Sequence, residues 1–414
     1  MKYVLIGAGA RGMIYAQWAV NHGHQIVALA EPRKDRREDA ARILNVPADM
    51  CFADGAELLA KGKLADAAII ATMDRDHYAQ VMQALDCGYD MLLEKPISPN
   101  PRECLEIEAK ANALGRKITV CHVLRYTNFF SKLKEILDSK TLGKIVAIKH
   151  AENIGHWHMA HSFVRGNWRN DTTSSPIIMQ KSCHDLDILL WLTGAHCTRV
   201  AAFGSLSYFK EENAPVGSAE RCFDCAVRET CLYDGMRAYE PVLGGWPANV
   251  VSLEQTPEAL EKALREGPYG RCVFRCDNNV CDHMSILMEF DDGVTATFSL
   301  TAQTQATDRK IHVMCEKGEI YADGESGEIR IRRFCPNDVE TYDEQVIRVK
   351  NNGSGHDGGD DGIMEDFEKT LRSEGESRSS ISRSVESHIM ACAIEQARLT
   401  GQVVSLEEYR KSIM

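Results

Sequence analysis

Over residues 1–122 the apolar positions fall in short runs separated by stretches with helical spacing. Runs near 2–6, 25–30, 66–71, 90–93 and 117–121 read as strands, and 11–22, 33–45, 54–61, 75–87 and 100–114 read as helices. Gly88, Gly115 and the proline-bearing stretch Pro96–Pro101 punctuate them. Ala67-Ala68-Ile69-Ile70-Ala71 is continuously apolar, as suits a strand covered on both faces. Strand and helix alternate throughout, which predicts an α/β unit with a parallel sheet and right-handed crossovers.

After about residue 123 the period changes. A helix is expected over Phe130–Ser139, an alternating strand over Lys144–Ile154, and a strongly apolar helix over Ile178–Leu192, stopped by Gly194. The runs Thr198–Ser207, Met284–Phe290, Val294–Thr301, Lys310–Cys315, Glu319–Tyr321 and Glu328–Arg333 read as strands, with Asp291-Asp292-Gly293 as a hairpin turn. Together they predict an α+β second domain on a large, mostly antiparallel sheet. Residues 209–280 interrupt it and read as an insertion with clustered cysteines, several prolines and one short helix, Pro257–Glu266. Residues 351–359 read as a glycine-rich loop, and 360–397 as helix with a polar break around 373–380. The expected units are 1–122, 123–358 and 359–414, the last packing back on the other two.

The first strand runs into Gly7-Ala8-Gly9-Ala10-Arg11-Gly12, and the second ends at Glu31. Gly7 permits a tight turn, Gly9 lets the backbone approach a pyrophosphate, and Gly12 lets the next helix pack close. The helix N-terminus then offers free N–H groups to phosphate. Glu31 stands where a carboxylate accepts from an adenosine ribose and repels a 2′-phosphate, which favours NAD over NADP; Arg33 and Arg36 nearby weaken that preference. The alternative is a glycine turn that serves packing alone.

Bulk properties narrow the field. A chain of 414 residues can build two cores. Its 44% apolar and 26% charged content is ordinary for a soluble globular protein, and a net charge of −12 argues against nucleic acid or an anionic membrane as partner. No apolar run approaches the ~20 residues of a membrane span. Lys2 leads straight into the fingerprint, so no signal peptide is expected and the cytoplasm is the expected compartment. Fifteen cysteines in such a compartment do not predict a disulfide framework. Cys51, Cys87, Cys104, Cys121 and Cys183 are scattered and read as small buried residues.

Leu93-Glu94-Lys95-Pro96 closes a predicted parallel strand at the end where open α/β sheets meet their ligands. Pro96 fixes the backbone and suits a cis bond. Glu94 can bind a nicotinamide ribose, and Lys95 can stabilise a developing alkoxide. The competing reading is a surface Lys-Pro turn.

Four motifs occur in order: the glycine fingerprint, Ala71-Thr72-x-Asp74-x-x-His77, Glu94-Lys95-Pro96, and Lys181-x-x-His184-Asp185-Leu186-Asp187. In this order the chain resembles the Gfo/Idh/MocA family of glucose–fructose oxidoreductases and inositol dehydrogenases. The resemblance covers nearly the whole chain apart from the insertion. It implies a Rossmann domain joined to an open-faced sheet, and hydride transfer between NAD or NADP and one carbon of a sugar or polyol. It also implies association into dimers or tetramers through the open sheet face. Gly7, Gly9, Ala10, Arg11, Gly12, Glu31, Arg33, Thr72, His77, Glu94 and Lys95 are the expected cofactor contacts. Lys95 and His184 are the implied catalytic pair. The family's usual aspartate, four residues before the histidine, is Gln180 here, and glutamine cannot accept a proton. Lys181 can substitute, or Lys95 and His184 can share the task. Lys181, His184 and Asp185 are spaced to share a helix face in an otherwise apolar run.

Residues 153–169 hold a second polar patch: Asn153, His156, Trp157, His158, His161, Ser162, Arg165, Trp168 and Arg169. Three histidines there permit a metal site, but the mix of aromatics and arginines suits a carbohydrate-binding loop better. His156, His161, Arg165 and Trp168 are the expected substrate contacts, with Arg125, Tyr126, His184 and His356, and Asp360 is a further candidate. Cys222-x-x-Cys225-x5-Cys231, with Cys272 or Cys276, matches a structural zinc set that would clip an otherwise coreless loop. Free thiols, an iron–sulfur centre or a redox pair are the alternatives, and Asp277-Asn278-Asn279 is placed near the cleft. The leading functional reading is an NAD-dependent sugar or cyclitol dehydrogenase acting on a small molecule. The alternatives are an NAD-retaining glycoside-cleaving enzyme and a non-catalytic NAD sensor.

Overall fold

In the computed structural model, which describes residues 1–350 and 355–414, two sheets organise the chain. β1 (Lys2–Ile6), β2 (Gln25–Ala30), β3 (Cys51–Phe52), β4 (Ala67–Ile70), β5 (Asp90–Leu93) and β6 (Ile118–Val120) form a parallel sheet in the order β3-β2-β1-β4-β5-β6. All four residues of β4 are buried, because helices cover both faces of this sheet. The order reverses between β1 and β4, and a crevice opens there at the carboxyl ends of the strands. Gly7, Ala71-Thr72 and Glu94 follow β1, β4 and β5 at that edge.

The second sheet is built from β7 (Ile145–Gly155), β8 (Cys197–Ser205), β9 (His283–Phe290), β10 (Thr295–Thr304), β11 (Asp308–Cys315), β12 (Gly318–Asp323), β13 (Glu328–Phe334), β14 (Tyr342–Arg348) and β15 (Val404–Ser405). Its order is β14-β13-β12-β11-β7-β10-β9-β8-β15, with β7 and β10 parallel and every other pair antiparallel. Alternation in β9 and β10 sends Met284, Ile286, Met288, Phe298 and Leu300 inward, against the helices Cys183–Thr193 and Ile381–Thr400. Gly293, at φ +89°, turns the hairpin between them. Among the described residues no element of this chain covers the other face, and Phe203, Leu287 and Val346 stand exposed on it.

Several elements depart from the sequence reading. The apolar helix breaks into Ile177–Gln180 and Cys183–Thr193. Lys181 and Ser182 turn between them, so Lys181 does not share a continuous helix face with His184 and Asp185. The break frees the Gln180 carbonyl to accept from Lys95 Nζ at 2.7 Å. The patch after β7 is no loop: a helical turn, His156–His158, passes into a π-helix, Met159–Arg165, a geometry that recurs at functional sites. The insertion is not coreless. Phe209, Tyr233, Val273 and Phe274 join the main core, and Tyr239, Ala248, Leu260 and Leu264 form a small one of their own. β3, β14, β15 and the helix Leu406–Ile413 had no counterpart in the pattern. Of the glycine-rich run expected as a loop, 351–354 lies outside the described residues. The part from Gly355 onward opens the helix Gly359–Leu371, which the polar break separates from Ile381–Thr400.

Candidate active site

The phosphate-facing loop is built by exclusion. A Cβ on Gly7 would stand 2.5 Å from the Ala71 carbonyl oxygen, and one on Gly12 would stand 2.0 Å from that of Gly7. A Cβ on Gly9 would meet nothing within 4 Å, so that backbone faces open space. The helix Ala10–Asn21 that starts here has no side-chain cap and no acid in its first turn, leaving its positive end for an anion. Glu31 is nearly buried at the end of β2, where its two oxygens accept from the N–H groups of Ala8 (3.0 Å) and Arg33 (3.1 Å). The Arg33 guanidinium turns away to Asp35. These features fit a dinucleotide: open backbone for the pyrophosphate, and a fixed carboxylate for a ribose.

Hydrogen bonds hold the turn after β5. Lys95–Pro96 is cis, and buried His77 lies with Nδ1 2.7 Å from the Pro96 carbonyl oxygen. Thr72 donates to Gln80 at 2.7 Å. Glu94 is held inside the turn by Arg11 Nε (2.8 Å), the Tyr15 hydroxyl (2.7 Å) and the Lys95 N–H (2.9 Å). Arg11 also donates to Asp360 at 2.6 Å, and His356 Nδ1 lies 3.1 Å from both Arg11 Nη1 and Asp360 Oδ2. The start of the carboxyl-terminal helices is thereby locked to the fingerprint helix.

Across the crevice the second domain presents His184. Its Nδ1 is buried without a hydrogen-bond partner, and its ring meets the His122 edge at 5.8 Å. Burial pushes its pKa well down, and Lys95, His122, Arg309 and His356 push the same way, so the ring is neutral at neutral pH. Burial likewise lowers Lys181, whose Nζ lies 3.4 Å from Glu152. Glu152, on the inward face of β7, also accepts from Arg309 (2.7 Å) and Ser182 (2.8 Å). Burial and the neighbouring Asp185 raise its pKa against those cations. Arg309 reaches Asp185 as well, at 2.7 Å, with His150 2.6 Å away on the same oxygen. Burial works against ionisation of Asp185, yet Arg309 and His150 outweigh it and hold the carboxyl well below its usual range. The site is thus a neutral imidazole and two ammonium groups above a fully paired acid–base layer.

Not every expected contact reaches this crevice. Arg125 is buried in a two-pronged pair with Asp187 (2.7 and 2.6 Å), and Tyr126 bonds Asp366 and Ser379 at 2.9 Å each, so both are structural. Their place just past the first domain puts them under the junction rather than in it. His161 is buried 2.9 Å from the Tyr239 hydroxyl and stacked on Tyr269, and burial beside Arg165 lowers its pKa to about 4. Arg165 is buried against the insertion, and Trp168 is half-buried against the main core. Asp277 pairs with Arg169 and Arg271, and Asn279 bonds Asp171, so these two clamp the insertion to the 166–175 segment, while Asn278 donates to the Phe209 carbonyl. His156 is partly exposed beside Tyr233. His158 comes closer to the chemistry than His156: the charges that lower its pKa, after burial, include Lys181, Arg309 and Lys95. Sequence reasoning missed Tyr15, His122, Glu152 and Arg309. For Glu152 a signal existed, since an acid at an inward position of an alternating strand conflicts with a plain core.

A parallel sheet with an open glycine loop at its switch point and a lysine at the end of a neighbouring strand suits an NAD-binding oxidoreductase. Residues 1–122 match the family model described as the oxidoreductase family, NAD-binding Rossmann fold, and residues 134–406 match its C-terminal alpha/beta domain. The chain belongs to the Gfo/Idh/MocA family. A Bacillus subtilis (strain 168) protein described as the oxidoreductase YteT is 25% identical over 317 residues, 73% of this chain and 72% of that one. An inositol 2-dehydrogenase of Pseudarthrobacter chlorophenolicus is 26% identical over 290 residues, 68% of this chain and 79% of that one. Among solved structures, levoglucosan dehydrogenase in complex with NADH superposes with a TM-score of 0.71 at 15% identity, over 98% of this chain and 99% of that one. An Agrobacterium radiobacter oxidoreductase in complex with NAD+, L-tartaric acid and magnesium gives 0.70 at 14%, over 99% of each chain. These two share the fold.

Proposed function

We propose that this protein uses NAD to oxidise, or form, a hydroxyl-bearing carbon of a sugar, sugar derivative or cyclitol. The observation that carries the reading is the convergence of Lys95, from the parallel sheet, and neutral His184, from the second domain, on one crevice. Gly7, Gly9, Ala10 and Gly12 would hold the pyrophosphate and Glu31 the adenosine ribose, whose 2′-phosphorylated form its carboxylate disfavours. Bound NAD supplies the hydride acceptor. Lys95 Nζ donates to the substrate oxygen and stabilises the negative charge it gains. His184 takes the hydroxyl proton, a role that its neutral state allows and that Gln180 cannot fill. Lys181, tied to Glu152, orients a neighbouring hydroxyl. The substrate class is supported by similar proteins named inositol 2-dehydrogenase and levoglucosan dehydrogenase.

The test is a panel of sugars, sugar acids and cyclitols followed at the NADH absorbance band. A compound that yields NADH supports the reading. Release of an aglycone without net NADH would establish redox-neutral glycoside cleavage instead.

Two further assignments go with it. A second copy of the chain covers the open sheet face, since a soluble protein seldom leaves Phe203 and Leu287 together in water. The cytoplasm is the working compartment: all fifteen cysteines are unbridged, and among the described residues no helix is long and apolar enough to cross a membrane.

A further inference from the structure

We propose that Cys222, Cys225, Cys231 and Cys272 bind one zinc ion that fixes the insertion against the wall of the active-site crevice. The four side chains line one cavity of about 20 Å³, with Arg165, Tyr233 and Asp234 beside them. That volume admits a single ion and not a four-iron cluster. An isolated antiparallel bridge between Arg221 and Arg271 brings the two segments together, with the Cys272 N–H donating to the Glu220 carbonyl at 2.8 Å and Cys222 lying diagonally across the bridge from Cys272. Cys272 lines the cavity and Cys276 does not: its thiol turns back to donate to the Cys272 carbonyl at 3.2 Å.

Two polar neighbours are arranged for thiolates. The Tyr233 N–H donates to Cys231 Sγ at 3.4 Å, two residues along, as backbone amides do around metal-bound sulfur. Arg165 is 2% exposed, donates to the carbonyls of Arg271 and Tyr233 at 2.7 Å each, and lies 3.4 Å from Cys222 Sγ. Among the described residues it has no carboxylate partner, which is costly for a buried guanidinium. Four thiolates around a divalent ion carry two net negative charges and supply the missing counter-charge.

No three of these sulfurs stand within 4.8 Å of one another among the described residues. Tetrahedral zinc, at about 2.3 Å from each sulfur, places them roughly 3.8 Å apart, so binding draws the surrounding turns inward. Among the described residues the one carboxylate group that meets that spacing, Asp308, Asp323 and Glu325, already surrounds the Lys310 ammonium at 2.7, 2.8 and 3.5 Å.

The consequence reaches the crevice through Arg165, the last residue of the π-helix that carries His161. Insertion residues Trp246, Tyr239 and Tyr269 pack on His158 and His161. Tyr269 also lies within reach of the Arg33 and Arg36 charges at the ribose end of the dinucleotide loop. This part of the inference rests on the cofactor reading above, and the metal assignment does not.

The experiment is elemental analysis of the purified full chain, with native mass spectrometry and cobalt(II) exchange on the unaltered protein. About one zinc per chain is expected, with cobalt giving thiolate charge-transfer bands and tetrahedral d–d bands. Cys272→Ser should lose the metal and Cys276→Ser should keep it. A metal-free native chain, equal loss in both variants, or iron with a broad visible band would overturn the proposal. If Cys272→Ser fails to fold, Cys272→His, which preserves a ligand, should fold and retain about one zinc; a metal-free Cys272→His would overturn the choice of Cys272.

Discussion

His184 is neutral because of its company. Burial, Lys95, Arg309 and His122 all oppose a proton on it, which keeps its lone pair free to face a substrate hydroxyl but makes the ring a weaker base than a free imidazole. Lys95 is positioned by a cis-proline turn, a histidine beneath it and a carbonyl across the crevice. Replacing it by methionine keeps the stem and removes the charge. We expect kcat to fall by at least ~100-fold, the scale of an alkoxide-stabilising group, with NAD affinity changed less than threefold. Steady-state kinetics and cofactor titration check this, and a kcat loss under tenfold would remove Lys95 from the chemistry. His122 is a different case. Both its nitrogens are buried without a hydrogen-bond partner, Nε2 lies 3.7 Å from Asp187, and its edge packs on His184. His122→Phe keeps the ring and discards two unsatisfied polar atoms, so stability should hold or rise by about 1 kcal/mol, with kcat within threefold. A denaturation midpoint and a kcat measure both, and a large kcat loss would show that the nitrogens handle a proton. Lys95 and His184 were legible because each sits in a short motif whose context follows from the chain. Arg309 was not, and although Glu152 stands out as an acid at an inward position of β7, nothing in either strand's pattern reveals that β7 and β11 bring the two together beside Lys181.

The elements around the site are joined by ion pairs rather than by apolar contact alone. Arg125, in the turn Val123–Tyr126, grips Asp187 on the helix Cys183–Thr193 and donates to the Arg378 carbonyl at 2.7 Å. One guanidinium thus ties the domain junction, the His184 helix and the carboxyl-terminal tail. Asp187→Asn leaves that guanidinium buried without a counter-charge, so unfolding free energy should drop by roughly 3–5 kcal/mol, read from a urea midpoint. A change below 1 kcal/mol would mean that solvent reaches the pair. At this scale the sequence was clearest where one face is buried: β9 and β10 alternate cleanly, and the parallel strands form apolar runs. β14 was invisible because Ile347 alone of its residues packs on the core. It is an edge strand held by Arg330 and Arg332 on Glu344 and by Arg333 on Asp343, so it presents polar residues on both sides. The broken helix at Lys181 was hidden for the opposite reason: apolar residues flank the break on both sides, and only the tertiary pull of Lys95 and Glu152 marks it.

For the whole molecule, the bare sheet face and the buried histidines make separate demands. If two copies cover that face, Phe203→Glu with Leu287→Lys should shift the sedimenting mass from a multiple of 46.2 kDa toward 46.2 kDa itself, with the fold intact by circular dichroism. The histidines set the response to acid. His77, His122, His158, His161, His184 and His388 are all driven down in pKa by burial, His161 to about 4 and His388 to about 3. Above pH ~6.5 the ring is neutral in both folded and unfolded chains and contributes nothing to the difference. Below it the unfolded chain takes up protons that the folded chain refuses, so stability falls as pH drops, by roughly 1.4 kcal/mol per pH unit for each such ring. His196 runs the other way, raised by Glu386, so its contribution is full in acid and fades as pH rises; it is one exposed group against six buried ones. Carboxylates held low by their partners, such as Asp185 and Asp360, add their loss only below about pH 5, where unfolded acids begin to protonate. Glu152 and Asp187, raised in pKa by burial, take up protons in the folded chain and run the other way, so the interval from pH 6.5 to 5 reads the imidazoles net of these two carboxyls. Denaturation midpoints should fall steeply across it with several protons taken up on unfolding, and a flat profile there would mean that these rings are not sealed from water.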